Sequence, residues 1–191
     1  MKTVLIALLI LCGVVDAAKA EGPWSGRVIV AGTERPVSGA VVIVYWERRT
    51  PGIIHEGIEL DDVVEVVTNA EGKFVIPARR SANLSLFFRV EGPRMQIFRA
   101  GFIGWHFRGQ PDINGPLNVV DRDAWIAAAW RRFATTGEVI ELDEARTWEE
   151  RNKALVIASP MGPFPDNKIP RYRKALDDEA SRLRRLRYGG T

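Results

Sequence analysis

Apolar positions come in two styles along this chain: one long run at the start, then many short runs broken by turn residues. Thr3 to Val15 is nearly all apolar, with Lys2 before it and the small residues Ala18 and Ala20 flanking Lys19 after it. From Ser25 to about Phe102 the pattern predicts β-strands. Arg27-Val28-Ile29-Val30 is a short β-branched run, followed by turn punctuation at Gly32, Pro36 and Gly39. "AVVIVYW" (40–46) is continuously apolar, as expected for a strand buried on both faces or at the centre of a sheet. "DVVEVVT" (62–68), "KFVIPA" (73–78), "LSLFFRV" (84–90) and "MQIFRAG" (95–101) complete the series, with a long loop over 50–62. Strands this short, spaced by Gly, Pro and Asn, predict a β-sandwich or barrel.

The period changes after Phe102. "IGWHFRGQPDINGPLN" (103–118) reads as a loop. Residues 121–137 predict a helix, capped by Asp121 or Asp123, ended by Gly137, and striped by Trp125, Ile126, Ala129, Trp130 and Phe133. "EVIEL" (138–142) suggests one more strand. Thr147 and Glu150 match a capping box opening a second helix, and "PMGPFPDNKIP" (160–170) is a Pro-rich connector. A last amphipathic helix runs from about Tyr172 to Arg187, with Tyr172, Leu176, Ala180, Leu183 and Leu186 on its seam.

The 191 residues suffice for one domain with added elements. The basic start, short apolar run and small residues before position 21 predict a secretory leader over residues 1–20, cleaved after Ala20. Such a run is too short to span a bilayer comfortably, and no later stretch suits a transmembrane helix. Cys12 permits the alternative of a lipoprotein signal, against which stands the large Leu11 before it. Cleavage after Ala20 removes the single cysteine and leaves 25 basic and 23 acidic residues, a net charge of +2. That balance gives no footing for nucleic acid, and the core must hold without a disulfide.

Asn69-Ala70-Glu71-Gly72 poses a choice between an acidic metal loop and a turn. Asn suits the first position of a type I turn, and Gly72 can take the left-handed conformation that closes a hairpin. A calcium loop needs several oxygen ligands at alternate positions, whereas Asn69 and Glu71 stand almost alone. The turn is the preferred reading.

These residues also carry a resemblance. Gly26-Arg27-Val28, Pro36-Val37-Ser38-Gly39-Ala40-Val41, the run Thr68 to Pro77 ("TNAEGKFVIP") and Gly101-Phe102 resemble the motifs of the carboxypeptidase regulatory-like domain. Asn69 replaces the usual Asp of that pattern and Phe102 the usual Tyr. The resemblance implies a mainly β fold, a transthyretin-like antiparallel Greek-key β-sandwich, here with added C-terminal α-helices. It implies a sandwich over 21–143 with a helical insertion at about 104–137, and a helical extension over 144–191. It covers under half of the chain, and its motif residues mark turns and inward aromatics. Domains of this kind mostly stiffen, space or bind their neighbours. The C-terminal Tyr188-Gly189-Gly190-Thr191 lacks the arginine of the hydrolytic transthyretin-like enzymes.

The candidate chemistry is sparse. His55 and His106 are the only histidines, and no HxH, HxxxH or HExxH spacing joins them to a metal. GxSxG and SxxK are absent, as are phosphate-cradling glycine loops. Glu47, Glu56, Glu59, Asp61 and Asp62 are the acids available for a hydrolase. Trp46, Trp105 and Phe107, with His55 and His106 beside them, are the candidate ligand-binding residues, either as a platform for a sugar or peptide or as core. The arginines of the last helix either meet anionic headgroups or complement the helix dipole. The expectation is therefore a periplasmic or secreted, non-enzymatic binding or scaffolding module of the cell envelope. It has no catalytic residues, metal or cofactor, and its partner is an unknown protein or glycan. A carbohydrate-binding module and a carboxylate-dependent hydrolase are the alternatives.

Overall fold

Six consecutive residues, Val41 to Trp46, are buried, and the layers of the molecule are arranged around them. They belong to β3 (Val41–Thr50) in a computed structural model that describes residues 19–52, 57–81, 88–107, 122–160 and 164–188. The remaining strands are β1 (Lys19–Glu21), β2 (Trp24–Val30), β4 (Gly57–Val67), β5 (Lys73–Ile76), β6 (Arg79–Ser81), β7 (Arg89–Phe98), β8 (Trp105–Phe107) and β9 (Glu138–Leu142). The helices are α1 (Arg122–Thr135), α2 (Trp148–Ala158) and α3 (Pro170–Tyr188), with a single 3-10 turn at Asp166–Lys168.

Four strands form an antiparallel sheet in the order β4-β3-β7-β8, and three form a second sheet in the order β5-β2-β9. β1 and β6 make a separate two-stranded ribbon. Side chains alternate across a strand, so β3 serves two cores. Val42, Val44 and Trp46 face the three-stranded sheet, meeting Val28, Phe74, Ile140 and Leu142. Val41, Ile43 and Tyr45 face the other way, under Ala158 of α2 and Tyr172 and Leu176 of α3. The C-terminal helices thus form a third layer, and "AVVIVYW" is apolar throughout because neither of its faces meets water. α1 connects β8 to β9, and its Ala129, Trp130 and Phe133 join the inter-sheet core.

The motif residues are fasteners between loops. The buried Thr68 hydroxyl donates to the Val37 carbonyl at 2.7 Å and accepts the Ala40 N–H at 2.9 Å. Asn69 Oδ1 accepts the N–H groups of Glu71 and Lys73, and Gly72 N–H closes the turn onto the Asn69 carbonyl at 3.0 Å. Gly72 has φ +74°, and a Cβ there would lie 2.3 Å from the Val28 carbonyl oxygen. The turn predicted for 69–72 is present, but the expected hairpin is corrected: β4 pairs with β3 and β5 with β2, so the turn carries the chain from one sheet to the other.

Several expectations need correction. β9 pairs parallel to β2, Gly26 opposite Glu138 through Val30 opposite Leu142, so the layers are not wholly antiparallel. Residues 57–62, expected in a loop, belong to β4, whose charged side chains pair with arginines and so mask a strand pattern. Trp105–Phe107, also expected in a loop, pairs with Met95–Ile97 as β8. The break expected between 90 and 95 is absent: Arg89–Phe98 is one strand. Gly92 and Pro93 sit where the β3 register slips, opposite Trp46, and Pro93 has no N–H for a ladder to miss. The seam of α3 uses Glu179 rather than Ala180, because the buried Glu179 accepts two nitrogens of Arg151 at 2.6 and 2.5 Å. Residues 82–87 and the Asp121 cap lie outside the described residues.

α3 is anchored twice at the start of its buried stretch. Glu65 of β4 accepts the N–H groups of Arg171 and Tyr172 at 3.1 and 2.6 Å, satisfying donors that the first turn leaves open. The Tyr172 hydroxyl donates to the Ala158 carbonyl at 2.8 Å, tying α3 to α2. Burial, with Tyr45 nearby, pushes the Tyr172 phenol well above its usual value, so it stays a donor. The capping box of α2 forms as predicted: Thr147 Oγ1 accepts Glu150 N–H, and Glu150 accepts Thr147 N–H.

Gly72→Ala is expected to cost about 3 kcal/mol through the clash with Val28 O. Gly32→Ala, at φ +67° with open space around it, should cost only about 1 kcal/mol. Glu65→Ala should cost about 1–2 kcal/mol by uncapping α3. Urea midpoints of the three variants check the ranking.

Candidate functional site

The residues expected to bind a ligand divide between core and rim. Trp46 is 1 % exposed and Phe107 6 %, so neither offers an open ring face. Trp24 lies between Trp46 and Trp130, with ring centroids 6.1 and 4.9 Å away, and Phe107 meets Trp130 at 5.3 Å. These rings fill the space between the two sheets on the side closed by α1. The expected platform is therefore corrected to a buried aromatic cluster for Trp46 and Phe107. Trp105 is half-buried and stacks on Phe107 at 5.9 Å with 13° between the planes. His106, on the opposite face of β8, is half-buried and pairs in register with Gln96. His55 and residues 108–118 lie outside the described residues, so the surface expected from 50–62 and 103–118 is described only in part.

Trp46 is instead the floor of a charged network that sequence reading missed. Its indole N–H donates to Glu21 at 2.8 Å, and the Arg79 guanidinium lies 4.5 Å over its ring. Arg79 bridges Asp61 and, at 3.1 Å, Asp62. Asp61 also takes two nitrogens of Arg48, at 2.8 and 3.2 Å, and Arg48 covers the Phe88 ring at 4.6 Å. On the neighbouring strands Arg94 pairs with Glu47 at 2.9 Å, while Arg49 (2.5 Å) and Arg89 both hold Glu91. Partial burial opposes charge on Glu91, but the two guanidiniums outweigh it and hold its carboxyl below the ordinary range. The sequence signal was the charged run Glu47-Arg48-Arg49 together with Asp61 and Asp62, which come together only once β3 and β4 are paired across the bulge at Trp46/Glu47. These acids are occupied by arginine and act as clamps. They hold the ribbon strand β6 over the end of the sandwich.

Open clefts lie elsewhere among the described residues. One, of about 350 Å³, lies beside the start of α2 between Arg35, Glu144 and Arg146. Arg35 and then Arg146 hold the Glu144 carboxyl below its usual value. Another, of about 400 Å³, is a groove between α2 and the end of α3, walled by Trp148, Leu183, Leu186 and Arg187. Trp148 N–H donates to the Leu183 carbonyl at 3.3 Å, and the Arg187 guanidinium lies 4.8 Å over the Trp148 ring. Among the described residues, no group of three His, Cys, Asp or Glu side chains is placed to hold a metal. No described helix is long and apolar enough to cross a membrane.

No protein-family model, curated protein or solved structure matches this chain.

The network makes two stability predictions. Asp61→Ala leaves Arg79, only 15 % exposed, with Asp62 as its remaining carboxylate, and frees Arg48, so it should cost about 1–3 kcal/mol in chemical denaturation. Glu91 has a depressed folded value, so its contribution is complete above its unfolded value of about 4.3 and is lost as pH falls through the folded one. Thermal melts should therefore decline more gently below about pH 4.5 in Glu91→Gln than in the unaltered protein.

Proposed function

We propose that this chain is an exported, non-enzymatic binding or scaffolding module of the cell envelope, built on a carboxypeptidase regulatory-like, transthyretin-type sandwich. The observation that carries the proposal is the use made of the motif residues. The polar groups of Thr68, Asn69 and Gly72 are spent on backbone partners, which suits a motif that specifies geometry rather than reaction. Seven strands in a four-stranded and a three-stranded sheet are compatible with that family's architecture. The Arg-paired Asp61, Asp62 and Glu91 favour clamping over acid–base work. Cleavage after Ala20 would take away Lys19 and Ala20, two of the three β1 residues that pair with β6, and would leave Glu21, whose carboxylate accepts the Trp46 N–H.

A glycan is the second reading. Its support is Trp105, half-open and stacked nearly parallel on Phe107, an arrangement on which a sugar ring can lie. Tryptophan fluorescence titrated with cell-wall polysaccharide, in the native chain and in Trp105→Ala, separates the glycan from a protein partner.

The test of the main proposal is photo-crosslinking from position 105 and from the exposed Thr50 in the native envelope. One discrete adduct from either position is expected, together with an N-terminus at Glu21 by mass spectrometry. Turnover of an ester, amide or glycoside by the purified protein, lost in Asp61→Asn or Glu144→Gln, would overturn it.

A further inference from the structure

The last turns of α3 break the rule that governs the rest of the helix. Tyr172, Leu176, Glu179 and Leu183 are buried at spacings of four, three and four residues, and the next seam position is Leu186. Leu183 is 3 % exposed, but Leu186 is 63 % and Tyr188 70 % exposed. Leu186 thus lines the α2–α3 groove yet stays open to solvent, and Tyr188, two residues on, leaves the helix on another side, so exposed apolar groups flank its last turn. Four arginines (Arg182, Arg184, Arg185 and Arg187) and no acid accompany it over residues 181–188. Trp148 continues the apolar surface from the wall of the α2–α3 groove, beneath the Arg187 guanidinium.

We propose that this tip docks on an anionic phospholipid bilayer, with Leu186 and Tyr188 entering the headgroup boundary and the arginines on lipid phosphates. Three features select this occupant. The exposed apolar side chains stand on the last turn of a helix, suited to shallow entry into a soft interface. Leu, Tyr and Trp ringed by guanidiniums is the composition of interfacial helices, in which arginine stems lie along the apolar layer while their heads reach phosphate. Charge excludes a second copy of this chain, because two such tips would bring eight uncompensated arginines together. The groove wall carries one acid, Glu149 of α2, against the arginines Arg146, Arg151 and Arg187. More than a dipole complement is present, since a helix end gains from cations alone and does not call for an exposed Leu and Tyr among them.

This deepens the envelope-module reading by naming one surface it contacts, and the two fail separately: vesicle binding uses purified protein and needs no protein partner. The experiment is co-sedimentation with vesicles of phosphatidylglycerol and phosphatidylcholine against phosphatidylcholine alone, at 0.1 and 0.5 M salt (~10 and ~4 Å screening length). Every variant carries the same N-terminus, so any contribution from the apolar run at the start of the chain cancels. Binding should require phosphatidylglycerol and weaken at high salt. Arg184→Gln with Arg185→Gln should reduce it about fivefold per arginine removed. Leu186→Gln should reduce it about tenfold at unchanged arginine content. All three side chains are exposed, so thermal melts should match the unaltered protein. Equal binding to both vesicle types, or variants that bind like the native chain, would overturn the proposal. So would concentration-dependent dimerisation abolished by Leu186→Gln, which would assign the tip to a second copy, or loss of vesicle binding to a stoichiometric acidic peptide competitor with vesicles unable to reverse it.

Discussion

The described layers are arranged so that the first six residues of one strand, Val41 to Trp46, never meet water on either face. Each Val or Ile of β3 that is fully buried contributes roughly 1.5–3 kcal/mol, but only if both layers are in place. The three-stranded sheet with α1 supplies the first, and α2 with α3 supplies the second. The C-terminal helices are therefore part of the core and not a decoration of the sandwich. The fasteners follow from the same constraint. Glu65 and Tyr172 hold the helical layer on, Thr68 ties β4 to the loop before β3, and the Arg79–Asp61 bridge seals the end where Trp46 would otherwise be uncovered.

Much of this arrangement was legible in the chain. The apolar run 40–46 announced two-sided burial, "TNAEG" announced its turn, and Thr147 with Glu150 announced the start of α2. "EVIEL" fell on the residues of β9. What escaped was whatever depends on pairing across distance. β4 begins with Gly-Ile-Glu-Leu-Asp-Asp, which reads as polar loop until the arginines of β3 stand opposite. Glu179 replaces Ala180 on the α3 seam only because Arg151 of another helix reaches it. Local periodicity carries no information about such partners, and the parallel β2–β9 contact joins segments more than a hundred residues apart.

The candidate site was the least legible part, for a physical reason. Aromatic residues look alike in sequence whether they stack on a ligand or on one another, and the outcome depends on whether a helix lands on them. Trp130 and Phe133 land on Phe107, and Trp24 lands on Trp46, which leaves Trp105 alone on the rim. Acids behaved similarly: Glu47, Asp61 and Asp62, which read as spare carboxylates, are held by arginines. The surface that keeps both apolar and cationic groups open is the far end of α3, at the opposite extreme of the chain from the recognisable motifs.

β2 lies between β5 and β9, and β9 is not made until 142 residues have been synthesised. Until then the middle strand of the smaller layer has one bare edge, and the inter-sheet interior lacks Ile140 and Leu142. Closing so long a loop is entropically slow. The smaller layer is therefore completed only when a five-residue segment more than a hundred residues from its neighbour docks, and the helices that cover the other face of β3 come later still in the chain.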